Sequence, residues 1–455
     1  MNVFEHAEAR YEQYLAQLKE LVAIPSVSTL PDRQPDVQRA AAWLAAHLRD
    51  IGMTRAEVIP TAGHPIVYAE WLGAPGAPTV LVYGHYDVQP PDPLDEWRTP
   101  PFEPTVRDGH LYARGATDDK GQIFAQIKAL DALLAVEGRL PVNVKLLFEG
   151  EEEIGSPNLQ PFVRERAQQL AADAVLISDS GMPSPDQPAI TYGTRGMVYL
   201  EIEVRGPRAD LHSGSYGGTV QNPANVLCAL IAALHNPDGS VAVPGFYDRV
   251  RPIDDQERAE LAKAGWTEDQ WRRETGAPAP WGEAGYSLTE RASVRPTLDV
   301  NGMWSGFTGA GSKTIIPAKA NAKVSCRLVP DQDPAEIDRL LRAYIASIAP
   351  DTVTVEITSF QGVPAAVMDR DAPAMKAAAA AFRAGFGAEP VFTRAGGTLP
   401  ILPTFQQALG APIILMGFGL PDDNIHSPNE KFTLANFRKG IQTLIHFHRA
   451  MANSA

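Results

Sequence analysis

Cysteine is nearly missing from this chain: two residues in 455, Cys228 in "VLCALIAAL" and Cys326 in "AKVSCRLVP". So few thiols exclude a disulfide framework and a thiolate zinc site, and both are expected to be small core residues. Positive charge is also short, with 40 Lys and Arg against 54 Asp and Glu and a net charge of −14 at pH 7. That balance excludes the basic footprint of a nucleic-acid binder. No apolar run reaches membrane-spanning length. The opening "MNVFEHAEARYEQYL" has no basic stretch followed by an apolar one, as a leader would. A cytoplasmic protein, with neither nucleic acid nor membrane as partner, is the expectation.

What is present reads as an ordinary globular composition, 44% hydrophobic and 21% charged. The length exceeds what one hydrophobic core usually supports, so two domains are expected. The first third alternates helical periodicity ("PDVQRAAAWLAAHLRDIG", "DDKGQIFAQIKALDALLAVEG") with short apolar strands ("PTVLVYGHYDV", "PVNVKLLFEG", "DAVLISDS"). That alternation predicts an α/β sheet covered on both faces. The middle changes character. "GMVYLEIEVRG" alternates with period two, "NPANVLCALIAALHN" and "DPAEIDRLLRAYIASI" read as helices, and "AKVSCRLVP" and "TVTVEITSF" as strands. Asp333, Pro334 and Glu336 form a near capping box for the second helix. The α/β pattern resumes after Phe360, so a compact α+β domain, 195–360, is expected to be inserted into a discontinuous one, 1–194 and 361–455. Between Pro237 and Lys319 the reading is a long irregular elaboration, with Trp266, Trp271, Trp281 and Trp304 as its packing residues.

The chemistry gathers at strand ends. "YGHYDVQP" follows an apolar strand and carries His85 and Asp87 two apart, hence on one face. An isolated His-x-Asp is more often a hydrogen-bonded strand end than a ligand pair. Asp118 and Asp119 in "ARGATDDKGQ" stand before a helix and could equally be its N-cap. Glu149, Glu151, Glu152 and Glu153 crowd the end of "LLFEGEEEIGS", where a solvated acidic loop is the plain alternative. Asp179 ends "LISDSG", and His426 follows the strand before "IHSPNE". Open α/β sheets place ligand sites at such strand ends. Imidazole with carboxylate oxygen suits zinc, manganese or cobalt. Five candidates sharing one aspartate fit a pair of cations about 3.5–4 Å apart.

"GHYDVQP", "ARGATDDKGQ", "EGEEEIGS", "ISDS", "DLHSGSYGG" and "IHSPNEK", in that order, resemble the M20 family of metallopeptidases. The stretch "VYGHYDVQPPDPLDEWRTPPFEPTVRDGHLYARGATDDKGQ" is most similar to its carnosinase-like, cytosolic nonspecific dipeptidase branch. The resemblance spans about Pro25 to Lys431. It implies a mixed-sheet α/β metallopeptidase catalytic domain with an inserted α+β lid and dimerisation domain. It further implies two divalent cations per subunit, zinc or manganese with cobalt possible. His85, Asp118 and Asp179 would hold one and Asp118, Glu153 and His426 the other, with Asp118 shared. Asp87 would support the His85 ring, Glu152 would be the general base, and the Asp118–Asp119 peptide would be cis.

The same resemblance makes His212 a donor to the tetrahedral oxyanion, reaching the site from a partner subunit, and so implies a homodimer. Arg327 would bind the C-terminal carboxylate of a small peptide substrate, a task for a guanidinium fork, although a strand-end salt bridge is its plain alternative. Thr314 and Thr398 would be polar contacts of the same pocket, Thr398 standing where relatives often carry serine. Some relatives have a hydrophobic residue where this chain has Glu151, which is expected to add negative charge near the cleft. Competing readings are an N-acyl-amino-acid deacylase of the same family, a dinuclear phosphoesterase and a non-catalytic binder. The "PPDPLDEWRTPPFEP" stretch favours the dipeptidase branch, and the single Glu152 base with the candidate carboxylate-binding Arg327 favours amide chemistry.

Overall fold

The computed structural model describes residues 1–453, so the last two positions of the expected 361–455 segment lie outside the described residues. Two compact units emerge. The first comprises Met1–Tyr192, Met368–Thr393 and the segment from Pro400 onward; the second comprises Gly193–Val367 and Arg394–Leu399.

The central sheet of the first unit runs Arg55–Ile59, Ile66–Trp71, Asn143–Glu149, Thr79–His85, Ala174–Ile177, Ile413–Leu415, Ala189–Thr194. Its middle four strands are mutually parallel, and antiparallel partners flank them. Parallel strands are covered on both faces and therefore read as continuous apolar runs. Val80, Leu81, Val82 and Tyr83 are all buried, as are Val144, Leu146, Leu147 and Phe148. Helix Lys120–Glu137 is buried nearly all round, as a helix packed between a sheet and an outer layer must be. Gly138, in the left-handed region at φ 66°, ends it.

The closing helix Leu434–Ala452 carries His448, fully buried, with neither ring nitrogen hydrogen-bonded among the described residues. Burial lowers its pKa to about 4. An unfolded histidine titrates near 6.5, so between those values the unfolded chain holds a proton that the folded one refuses. Stability therefore falls as pH drops through that window. His448→Phe is expected to raise stability by about 1–3 kcal/mol and to flatten its decline from pH 7 to pH 5, read by urea unfolding at both. An unchanged pH slope would rule out His448 as the source.

The second unit is built on an antiparallel sheet in the order Thr297–Ser305, Lys319–Leu328, Gly196–Arg205, Thr354–Val363. Val198, Leu200, Ile202 and Val204 face helices Pro223–Ala232 and Pro334–Ile348 in one core. Asp333 caps the latter, accepting from the backbone N–H of Ala335 and Glu336.

Three expectations are corrected here. The 237–319 region is irregular only in part: between its loops it forms helices Asp255–Lys263, Glu268–Thr275 and Leu288–Ser293 and supplies the edge strand Thr297–Ser305. Its polar, short helices lack the long apolar stripe that periodicity detects. Trp266, Trp281 and Trp304 are exposed rather than packed. Cys326 is buried but Cys228 is exposed; helix Pro223–Ala232 buries Val226, Leu227 and Leu230, which turns position 228 outward. Among the described residues no helix is long and apolar enough to cross a membrane.

Candidate metal centre

Most functional side chains of the first unit leave the carboxyl end of a parallel strand or the loop that follows, while Asp118 lies just before helix Lys120–Glu137. Thr79–His85 ends in His85, with Asp87 two residues on; Asn143–Glu149 runs into the short turn Glu152–Ile154; Asp179 follows Ala174–Ile177; and His426 lies in the loop after Ile413–Leu415. The structure brings these together. His85 Nε2 lies 3.0 Å from Asp118 Oδ1 and 3.9 Å from Asp179 Oδ2. His426 Nε2 lies 2.9 Å from Asp118 Oδ2 and 3.2 Å from Glu153 Oε2. Three donor groups result: His85–Asp118–Asp179, Asp118–Glu153–His426 and His85–Glu152–Glu153, each with its ligand atoms within 4.8 Å of one another. Asp118 belongs to the first two and offers one oxygen to each histidine.

The supports are as specific as the donors. Asp87 is fully buried; its carboxylate accepts from the backbone N–H of Glu152 (3.2 Å) and Glu153 (3.1 Å). His85 Nδ1 sits 3.1 Å from the Asp87 carbonyl oxygen and 3.4 Å from its Oδ1. An Nδ1–H bonded there leaves Nε2 to face Asp118, where on losing its proton it offers a lone pair to a cation. The Asp118–Asp119 peptide is cis. Asp119 occupies the N-cap position without capping; it accepts from the His85 backbone N–H at 3.2 Å. Gln89 Nε2 donates to Glu153 Oε2 at 2.7 Å.

Glu430 escaped the sequence reading, although it stands inside "IHSPNEK". Its buried carboxylate accepts from the backbone N–H of Gly115 (2.9 Å), Thr117 (3.0 Å) and Asp118 (3.1 Å), and pairs with buried Arg114 at 2.8 Å. Its only signal is an acidic residue followed by Lys431 and the apolar Phe432. Glu151 stands outside all three donor groups. It is buried, and its carboxylate is taken up by His64 N–H and Asn158.

The electrostatics follow from five carboxylates, Asp87, Asp118, Glu152, Glu153 and Asp179, gathered in one place. Burial, with Asp179, Glu153 and Asp87 adding and His85 opposing, pushes Glu152 up to about 9. Burial and the neighbouring Asp118 push Asp179 up to about 7. Hydrogen bonds to Asp118 and Glu153 hold His426 up near 10. Burial acts to lower His85, but Asp118 and Asp87 override it and hold it well above the usual imidazole range. Like charges this close are stable only when protonated or when a cation lies among them. The sulfur-free His and carboxylate donor set suits zinc, manganese or cobalt, so these residues fit divalent metal.

The other expected residues lie in the second unit. Leu211–His212 pairs with Ile315–Ile316, and Ser213 N–H donates to the Thr314 carbonyl at 3.1 Å, so His212 and Thr314 are neighbours. His212 is exposed; its Nδ1 accepts from Gly214 N–H at 3.0 Å. That bond puts the ring proton on Nε2, pointing a donor outward. Arg327 donates to Thr398 Oγ1 at 2.8 Å, and among the described residues no carboxylate pairs with it. Arg195, another residue missed in the sequence, donates to the Gly396 carbonyl at 2.9 Å. Burial first, then the Arg327 guanidinium, lower Arg195 to about 10. The two guanidiniums are close enough for each to feel the other's charge.

Known proteins resemble this chain over nearly its whole length. Residues 81–450 match the model of Peptidase family M20/M25/M40. The Cys-Gly metallodipeptidase dug1 of Schizosaccharomyces pombe is 33% identical over 467 residues, covering 99% of this chain and 98% of that protein. The Beta-Ala-His dipeptidase of Homo sapiens is also 33% identical, covering 99% and 92%. Among solved structures, human carnosine dipeptidase 1 superposes with a TM-score of 0.84 at 32% identity, over 99% of this chain and 98% of that one. A M20 family metallo-carboxypeptidase from Sulfolobus solfataricus superposes with a TM-score of 0.87 at 33% identity, over 97% and 99%. With a family match across most of its length and relatives of this identity along nearly all of it, the chain belongs to peptidase family M20.

Proposed function

We propose that this protein is a metal-dependent peptidase that hydrolyses dipeptides, or short peptides with a free C-terminal carboxylate. The observation that carries the reading is the convergence of His85, Asp179, Glu153 and His426 on the shared Asp118. Relatives named Cys-Gly metallodipeptidase and Beta-Ala-His dipeptidase support the substrate class. In this reading His85, Asp118 and Asp179 hold one divalent cation and Asp118, Glu153 and His426 a second, zinc or manganese, with cobalt accommodated. Bound there, the cations supply Lewis acidity that polarises a peptide carbonyl and acidifies water.

The chain's own residues do the rest. Glu152 takes the proton of the attacking water and returns it to the leaving amine as the C–N bond breaks. Asp87 keeps the Glu152–Glu153 turn and the His85 ring in register. His212 donates from Nε2 to the developing oxyanion; its exposed position fits delivery to a partner's site, and hence a homodimer. The edge strand Thr297–Ser305, with Val300, Met303 and Trp304 exposed, fits the same assembly. Arg327, braced on Thr398, receives the substrate carboxylate, with Thr314 a further polar contact. Two unpaired cysteines fit a reducing, cytoplasmic compartment.

The test is a parallel assay of dipeptides, N-acetyl amino acids and a phosphate ester, after chelation and again after adding Zn²⁺ or Mn²⁺. Dipeptide hydrolysis restored by metal is expected, with sedimentation reporting twice the 49.1 kDa chain mass. Arg327→Met is expected to raise KM about 10²-fold, the loss of a charge-assisted bidentate contact. Preference for N-acetyl amino acids or for the phosphate ester would replace the dipeptidase reading.

A further inference from the structure

The turn that carries Glu152 and Glu153 is clamped from two directions. From one side Asp87 accepts both of its leading N–H groups. From the other stands Glu151, the residue just before the turn. Its backbone carbonyl accepts from Ile154 (3.2 Å) and Ser156 (2.8 Å), closing the turn on itself. Its carboxylate reaches away. Oε1 accepts from His64 N–H at 2.8 Å, and both oxygens lie within 3.0 Å of Asn158 Nδ2. Asn158 N–H adds a bond at 3.3 Å. One side chain thus ties the catalytic turn to the 61–65 loop on one flank and to the start of helix Leu159–Glu165 on the other.

Gly63 makes that tie possible. A Cβ there would lie 1.8 Å from Glu151 Oε1 and 2.7 Å from Asn158 Nδ2. Gly63 is exposed and its φ lies outside the left-handed region, so nothing local demands glycine. The demand comes from the carboxylate seated against it. The loop is anchored in turn: His64 Nε2 lies 3.0 Å from the Ser28 carbonyl, and Tyr86, next to His85, donates its hydroxyl to the Pro65 carbonyl.

We propose that Glu151 is a positioning residue: through Gly63–His64 and Asn158 it fixes the turn that aims Glu152 and Glu153. The proposal rests on the dipeptidase reading for its kinetic arm, but not for its cation arm. Three changes test it: Glu151→Ala, Gly63→Ala, and Asn158→Asp, which sets a second carboxylate against the first. Each is expected to lower kcat about ten- to hundredfold, the usual cost of losing an outer support of a metal site. KM for a dipeptide should stay within about twofold, because no substrate contact is removed. Calorimetry on the metal-stripped protein should show the weaker of its two Zn²⁺ sites loosened about tenfold, and amide exchange over 61–65 should quicken. Combining E151Q with N158D restores a donor–acceptor pair in reverse and should recover at least part of kcat. The Gly63 change is decisive, since an exposed loop glycine would otherwise be silent.

Quickened exchange with kcat and Zn²⁺ affinity unchanged would make Glu151 a scaffold residue only and overturn the proposal. If the wild type cleaves no dipeptide, the functional reading fails separately and Zn²⁺ affinity alone decides, unchanged affinity again overturning the proposal. Should the Glu151→Ala chain not fold, Gly63→Ala and the E151Q/N158D pair support or overturn the proposal by the same measurements.

Discussion

Glu152→Gln is expected to keep its full complement of divalent metal while kcat falls by about 10²–10⁴-fold, the contribution of a positioned general base. The substitution preserves shape and leaves the backbone N–H that Asp87 accepts. It removes only the ability to hold a proton. Metal content follows because the shared-aspartate donor groups, His85–Asp118–Asp179 and Asp118–Glu153–His426, do not include Glu152. The residual rate should lose the acid limb of its pH profile, since the amide has no pKa in range. Without a cation nearby, burial and its acidic neighbours push Glu152 up to about 9. Positive charge in the cluster favours the ionised form and so lowers that value towards neutrality. A variant within tenfold of the wild-type rate, metal intact, would remove Glu152 from the mechanism.

Asp118→Asn reaches further. Each Asp118 oxygen faces a different histidine, Oδ1 towards His85 and Oδ2 towards His426. With a cation in each shared-aspartate donor group, as proposed, removing one charge weakens both positions, whereas Asp179→Asn or Glu153→Gln should weaken one. Affinity for both ions is expected to fall about 10³-fold, on the order of 4 kcal/mol. Elemental analysis after dialysis should find the Asp118 variant nearly metal-free and the single-group variants near half-loaded. Turnover should drop below that of the Glu152 variant. An Asp118 variant that holds as much metal as wild type would exclude a shared ligand. The fold should survive, because Glu430 grips the backbone of residue 118 and not its side chain.

How much of this could be read in advance depended on the range of the interaction. The strand-end donors were legible because a buried parallel strand is a conspicuous apolar run, and an imidazole or carboxylate just past it has a defined place on the sheet. Ordered motifs then carried the family. Residues whose meaning lies in a distant partner were not legible. Glu430 serves a loop more than 300 positions earlier, and Gly63 matters only because Glu151 leans on it from 88 positions away. Arg195 likewise acts on Gly396. The tryptophans failed for another reason. Residue type sets a tendency to bury, but short polar helices present too little apolar surface to cover them, so Trp266 and Trp281 stay in solvent. Glu151 looked like one charge among several, and only its hydrogen bonds separate it from the two acids that follow.

The Glu430 carboxylate also sets a timetable. During synthesis His85, Asp118, Glu152, Glu153 and Asp179 leave the ribosome well before His426, and Glu430 comes later still. Until it arrives, the amides of residues 115, 117 and 118 lack their acceptor. The loop that presents Asp118 is therefore finished by a residue more than 300 positions downstream.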